Sequence, residues 1–149
     1  SLQVRARRGW RTVDKDRTNR AGLYRLAWKS RRPGSRTLRV HFGGSRELRA
    51  DRRRIGRANV YRRAVASWYG PGLYGNKLGC GGRLSPSTVG VAHKTLPCGT
   101  RLTLRYRGRT VRTRVIDRGP YVGGREFDLT AATKRRLGFG STGTVLSTR

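Results

Sequence analysis

Seven acidic residues stand against 36 basic ones in this 149-residue chain, and three of them, Asp117, Glu126 and Asp128, crowd into one short stretch, VIDRGPYVGGREFDLT. Carboxyl groups can give a proton to a leaving oxygen, take one from a nucleophile, or flank a bond in pairs. A carboxyl group that gives up its proton near neutral pH must be screened from water and from cations. Asp117 ends the alternating run VRTRVID, where Val115 and Ile116 can screen it and where Arg114 and Arg118 must be turned away. The competing reading is a turn cap within DRGP, or an ion pair with Arg118. Asp128 precedes a helix candidate, so it is either a cap or buried hydrogen-bonding group, or a second charge acting on Asp117. Glu126 shares a strand face with Asp128 and reads as a surface position. His93 lies in the apolar run VGVAHKTL, where an imidazole needs a partner. By the residues alone it reads as structural.

The elements that must position these groups follow from composition and pattern. Net charge is +29, 31 of the basic residues are arginine, and hydrophobic residues make up 34%. Such a charge calls for an anionic partner: nucleic acid, the phosphate and carboxylate polymers of a bacterial wall, or, third, a membrane surface. No apolar run reaches the length of a membrane span. No signal peptide opens the chain; its start at Ser1 reads as a fragment or processed form, so the absence of targeting information here says little. Cys80 and Cys98 are 18 apart, and no further Cys or His stands at metal-ligand spacing, so no metal site is expected. A single disulfide closing a glycine-rich loop is favoured over free thiols and implies an oxidising compartment.

The pattern changes near position 63. Over residues 1–63, LQVRARRGWRTVDKD, GLYRLAWKS and RTLRVHF alternate with period 2, as half-buried antiparallel strands do, with Trp10, Tyr24 and Trp28 at core-like positions. ANVYRRAVAS is a fourth strand leading into the next domain. This segment is similar to part of a bacterial Ig-like β-sandwich, and its outward arginines read as a solvated face. His41 reads as structural or exposed. Residues 64–149 are short strands and glycine turns with one helix candidate, DLTAATKRRLGFG, capped by Asp128 or Thr130 and ended by Gly138. An all-β barrel with one short helix is the natural build.

Four blocks occur in order: ASWYG (66–70), VAHKTLPCGT (91–100), VRTRVIDRGPYVGGREFDLT (111–130) and AATKRRLG (131–138). Together, over residues 64–149, they resemble the rare lipoprotein A-like domain, a six-stranded double-psi β-barrel. The resemblance implies action on β-1,4-linked polysaccharide, since the family includes septal lytic transglycosylases and shares its barrel with expansins and some endoglucanases. It makes Asp117 the catalytic acid/base and His93 its partner. In a lytic transglycosylase the 6-hydroxyl of muramic acid attacks its own anomeric carbon, so one carboxyl group suffices and no cofactor is needed. Sugar rings stack on aromatics, which nominates Trp68, Tyr69, Tyr74 and Tyr121, although one of Trp68 and Tyr69 must point into the core. Arg118 could meet substrate carboxylates, and Asp128 also borders the groove. Two departures stand out. Gly82 replaces an acid that many members carry, and Cys80 and Cys98 fall where expansin and endoglucanase barrels are disulfide-braced. The expected protein is extracytoplasmic or secreted, acts as a monomer on peptidoglycan glycan strands or anionic wall polymers, and is a lytic transglycosylase or, alternatively, a non-catalytic expansin-like wall loosener. No nucleic-acid motif appears.

Overall fold

Alternation does make strands in the N-terminal residues, but not in every run that shows it. The computed structural model describes all 149 residues and separates into two units, Ser1–Val60 and Tyr61–Arg149. In the first, β1 (Leu2–Ala6), β2 (Gly9–Asp14), β3 (Gly34–Phe42) and β4 (Asp51–Val60) form an antiparallel sheet in the order β2-β1-β3-β4. LQVRARRGWRTVDKD is a hairpin, with Ala6 opposite Gly9. Leu2 faces Val40 and Val4 faces Leu38 on one side of the sheet, and Leu2 and Val4 are its fully buried apolar residues. Gln3, Arg5 and Arg39 take the other side.

GLYRLAWKS is not a strand. Its backbone donors go to carboxylates instead of a neighbouring strand: Ala27 N–H to Asp14 Oδ2 and Arg25 N–H to Asp16 Oδ2, both 2.6 Å. Period-2 spacing therefore survives in a tethered loop. Tyr24 is exposed, and Trp10 and Trp28 are only half-buried, so none of the three is a core residue. ANVYRRAVAS is split at Tyr61 between β4 and the first strand of the second unit.

That second unit comprises β5 (Arg62–Tyr69), β6 (Val91–Ala92), β7 (Arg101–Tyr106), β8 (Arg109–Asp117), β9 (Phe127–Thr130), α1 (Ala131–Leu137) and β10 (Gly143–Ser147). Its strands close into a six-stranded barrel in the order β10-β5-β9-β6-β8-β7. The pairs β5–β9 and β6–β8 are parallel and the rest antiparallel. Inward residues alternate along the strands, and Val91, Leu104, Val115, Phe127, Leu129 and Leu137 fill the interior. Closure leaves no open edge. Thr130, not Asp128, caps α1, its side chain accepting from Thr133 N–H. Asp128 falls two residues too early, within β9. Cys80 and Cys98 are joined as a disulfide.

Candidate active site

Strand register sets the site. Ala92 on β6 stands opposite Asp117 on β8 and, on its other side, opposite Asp128 on β9; Asp128 in turn stands opposite Ser67 on β5. The four residues form a row across the barrel wall, with a methyl group between the two acids. Adjacent strands are about 4.8 Å apart, so the acids' backbones are roughly 10 Å apart.

Asp117 joins this row because of a bulge. Val91 pairs with Val115 and the next residue, Ala92, pairs with Asp117, leaving Ile116 unpaired. Strict alternation would put Asp117 in phase with buried Val111, Thr113 and Val115. The extra residue turns it to the face of Ala92 and Asp128. Gly90 makes room for Ile116: a Cβ there would lie 2.1 Å from Ile116 Cδ1.

Neutral donors hold Asp117 in place. Its Oδ1 accepts from the N–H groups of Gly79 at 2.7 Å and Arg118 at 2.8 Å. A side chain at Gly79 would meet Asp117 Oδ1 at 3.1 Å and Arg118 Cγ at 2.9 Å, so this approach needs glycine. Gly79 comes on a loop pinned by the Cys80–Cys98 bridge and by the Cys80 N–H bond to Ile116 O, 3.2 Å. The Arg118 guanidinium does not pair with Asp117. It donates to the carbonyls of His93 at 3.2 Å and Leu96 at 2.9 Å, and lies 3.0 Å from Cys98 Sγ. Arg118 therefore clamps loops here rather than reaching for substrate. Arg114 projects outward and exposed, and forms no ion pair with Asp117.

Tyr69 lies two residues beyond Ser67 on the same strand face, with its hydroxyl buried and without a hydrogen bond. Burial first, then the charge of Asp117, raises its pKa above the ordinary phenol value. The Asp117 carboxylate is thus near enough to act on the phenol without closing a bond in this geometry. Tyr69 stays a neutral donor aimed at the acids. Asp128 accepts from Ser67 Oγ at 2.5 Å. Burial raises its pKa, the Ser67 bond and the Arg125 charge oppose, and the Asp117 charge adds to the rise.

His93 sits next to the row, but its ring is engaged elsewhere. Nδ1 accepts from the N–H groups of Thr95 at 3.1 Å and Leu96 at 3.0 Å, which leaves the proton on Nε2, 3.6 Å from Glu126 Oε1. Glu126 is bound in two-pronged fashion by Arg62. Burial lowers the His93 pKa, the Glu126 charge raises it, and Arg62 and Arg118 lower it further. The ring is neutral and tilted over Phe127. The expected link from imidazole to Asp117 is replaced by a backbone one, His93 N–H to Asp117 O, 3.1 Å. Glu126 is no idle surface position.

The aromatics divide. Trp68 packs on the core with Lys134 Nζ 3.6 Å from its ring centre, so it is no free platform for a sugar. Tyr121 is 81% exposed beyond DRGP, and Leu73 and Tyr74 are exposed on the loop after β5. Sequence reasoning passed over Ser67, Gly79 and the Arg62–Glu126 pair. Ser67 lies within the ASWYG block and Gly79 directly before Cys80; Arg62 and Glu126, 64 residues apart, carry no local signal.

Residues 62–146 match a family model described as lytic transglycolase, a double-psi β-barrel domain. Two relatives carry the name probable endolytic peptidoglycan transglycosylase RlpA. The one from Synechocystis is 44% identical over 53% of this chain and 25% of that protein, and the one from Aquifex aeolicus 40% over 61% and 41%. The endolytic peptidoglycan transglycosylase RlpA of Campylobacter jejuni is 39% identical over 54% and 30%. The chain thus spans a quarter to two-fifths of the length of these relatives. With a match over more than half of its residues and a closed six-stranded barrel to carry it, the chain belongs to the lytic transglycolase family of double-psi β-barrel domains.

Proposed function

We propose that the barrel cleaves the β-1,4 glycosidic bond of peptidoglycan glycan strands as a lytic transglycosylase, with Asp117 as acid and then base. The observation that carries this reading is the state of Asp117: oriented by two backbone N–H groups, unpaired with any arginine, and facing a buried phenol. Asp117 protonates the leaving oxygen as the C1–O bond breaks. The 6-hydroxyl of the same muramic residue then attacks C1 and gives its proton back to Asp117, closing a 1,6-anhydro ring. No water is consumed, so a second carboxylate is not needed as nucleophile or base. Asp128 borders Asp117 across Ala92, Tyr69 offers a donor to the reacting oxygens, and Tyr121 offers a ring face to a sugar. The relatives named as peptidoglycan transglycosylases support this substrate class. The disulfide supports an extracytoplasmic, wall-associated setting. The alternation and antiparallel pairing of β1–β4 support the finer reading of that sheet as part of an Ig-like sandwich.

Purified sacculi incubated with the protein should release anhydromuramyl fragments detectable by mass spectrometry, and Asp117→Asn should not. Equal release by both proteins, or by neither, removes the reading. The second reading, wall binding without cleavage, is favoured by Gly82 standing where many members carry an acid. It predicts sedimentation with insoluble peptidoglycan and no product.

A further inference from the structure

The N-terminal sheet carries a feature that glycan cleavage does not use. On the side opposite Leu2 and Val4, strand register lines up Trp10 with Arg5, Gln3 with Arg39, and Arg39 with Arg54, with Arg52 one pleat away opposite His41. The Arg39 guanidinium lies 4.3 Å and that of Arg5 5.6 Å from the Trp10 ring centre. Arg39 Nε donates to Gln3 Oε1 at 2.7 Å, which fixes its orientation. None of the four arginines is in an ion pair. Desolvation, then the charges of Arg52, Arg5 and Arg54, lower the Arg39 pKa, so the cluster is self-repelling as it stands. Arginines spread over a solvated face would sit apart or beside carboxylates. Here two are held together on an indole, and no acid answers them.

We propose that this face binds a linear phosphodiester polymer lacking aromatic bases, of the polyol-phosphate kind. Guanidinium forks match phosphate oxygens two at a time, and a row of them along a strand matches a repeating anion. Nucleic acid shares the phosphate chemistry, but single-strand binders offer open aromatic faces to bases. The Trp10 ring is taken up by Arg5 and Arg39 and positions them instead. The proposal does not require the barrel to cleave glycan, and its assay reads binding alone.

The test uses the full chain, with poly(glycerol phosphate), polyglutamate of matched charge and single-stranded DNA as titrants across a salt series. The triple variant Arg5→Gln, Arg39→Gln, Arg54→Gln is compared with Arg20→Gln, Arg46→Gln, Arg49→Gln, which removes the same charge from exposed loops of that unit. The face variant should bind poly(glycerol phosphate) at least ~10-fold more weakly, with a salt slope lower by about two to three, while the loop variant changes less than ~3-fold. Arg52→Gln with Arg54→Gln, which leaves the Trp10 stack intact, should reproduce part of the loss and guards against misfolding of the triple. Equal losses from the two triples would mean net charge alone and would overturn the proposal. So would polyglutamate or DNA binding as tightly as poly(glycerol phosphate).

Discussion

A group that passes a proton must be held without being neutralised, and the residues around Asp117 do this with backbone rather than charge. Both N–H donors converge on Oδ1, and the adjacent guanidinium is drawn off by two loop carbonyls. An amide oxygen can accept the same two bonds. Asp117→Asn should therefore fold like the parent while product release falls by about 10²–10⁴; circular dichroism and the sacculus assay check the two halves. The Tyr69 hydroxyl is buried and unsatisfied, a state that costs about 1–3 kcal/mol. Tyr69→Phe should hold or raise Tm and lower turnover about tenfold; a lower Tm with turnover intact would make Tyr69 structural. Glu126 is the one acid that favours a charged His93, against burial, Arg62 and Arg118. In Glu126→Gln the His93 titration midpoint, followed by NMR of its ring protons, should move to lower pH. An unmoved midpoint would detach Glu126 from the site.

Between residue and molecule, the bulge at Ile116 is the decisive element. Gly90→Val would drive a side chain into Ile116, whose Cδ1 is already 2.1 Å from where a Cβ would stand. Overpacking of this kind costs about 1–3 kcal/mol, and the displaced bulge should also lower product release; denaturant melts and the sacculus assay read the two. Reducing the Cys80–Cys98 bridge, whose ends are 18 apart in sequence, should cost about 3 kcal/mol and free the loop that presents Gly79. The barrel and the position of Asp117 were legible because blocks such as DRGP and FDLT are local in sequence. The bulge was not: period 2 contains no sign of an extra residue, and strict alternation would aim Asp117 at the core. Nor were the partners that barrel closure brings together, Ser67 with Asp128 across 61 residues and Arg62 with Glu126 across 64. GLYRLAWKS misled for the converse reason. Its spacing is strand-like, but Asp14 and Asp16 supply the acceptors that a neighbouring strand would have supplied.

At the scale of the molecule, +29 charges repel, and added salt should raise Tm by screening them. The pH dependence of stability holds two further contributions of opposite sign. Burial raises the Asp128 pKa above its unfolded value near 3.9. Between those two values the folded state holds more protons than the unfolded one. Stability therefore falls as pH rises through that window, and the loss is complete above the folded value. Burial lowers the His93 pKa below its unfolded value near 6.5. Here the unfolded state holds more protons, so stability falls as pH drops through the window and the loss is complete below the folded value. Asp128→Asn removes the first slope, and its stability relative to the parent should climb from about pH 4 upward and then level off. His93→Gln removes the second, and its relative stability should climb as pH drops below about 6.5, on top of a constant loss from the Thr95 and Leu96 N–H bonds. Denaturant titrations from acid to neutral pH give both difference curves. Flat curves would mean that neither group is buried in the way the barrel implies, and slopes of the same sign would exclude it for one of the two.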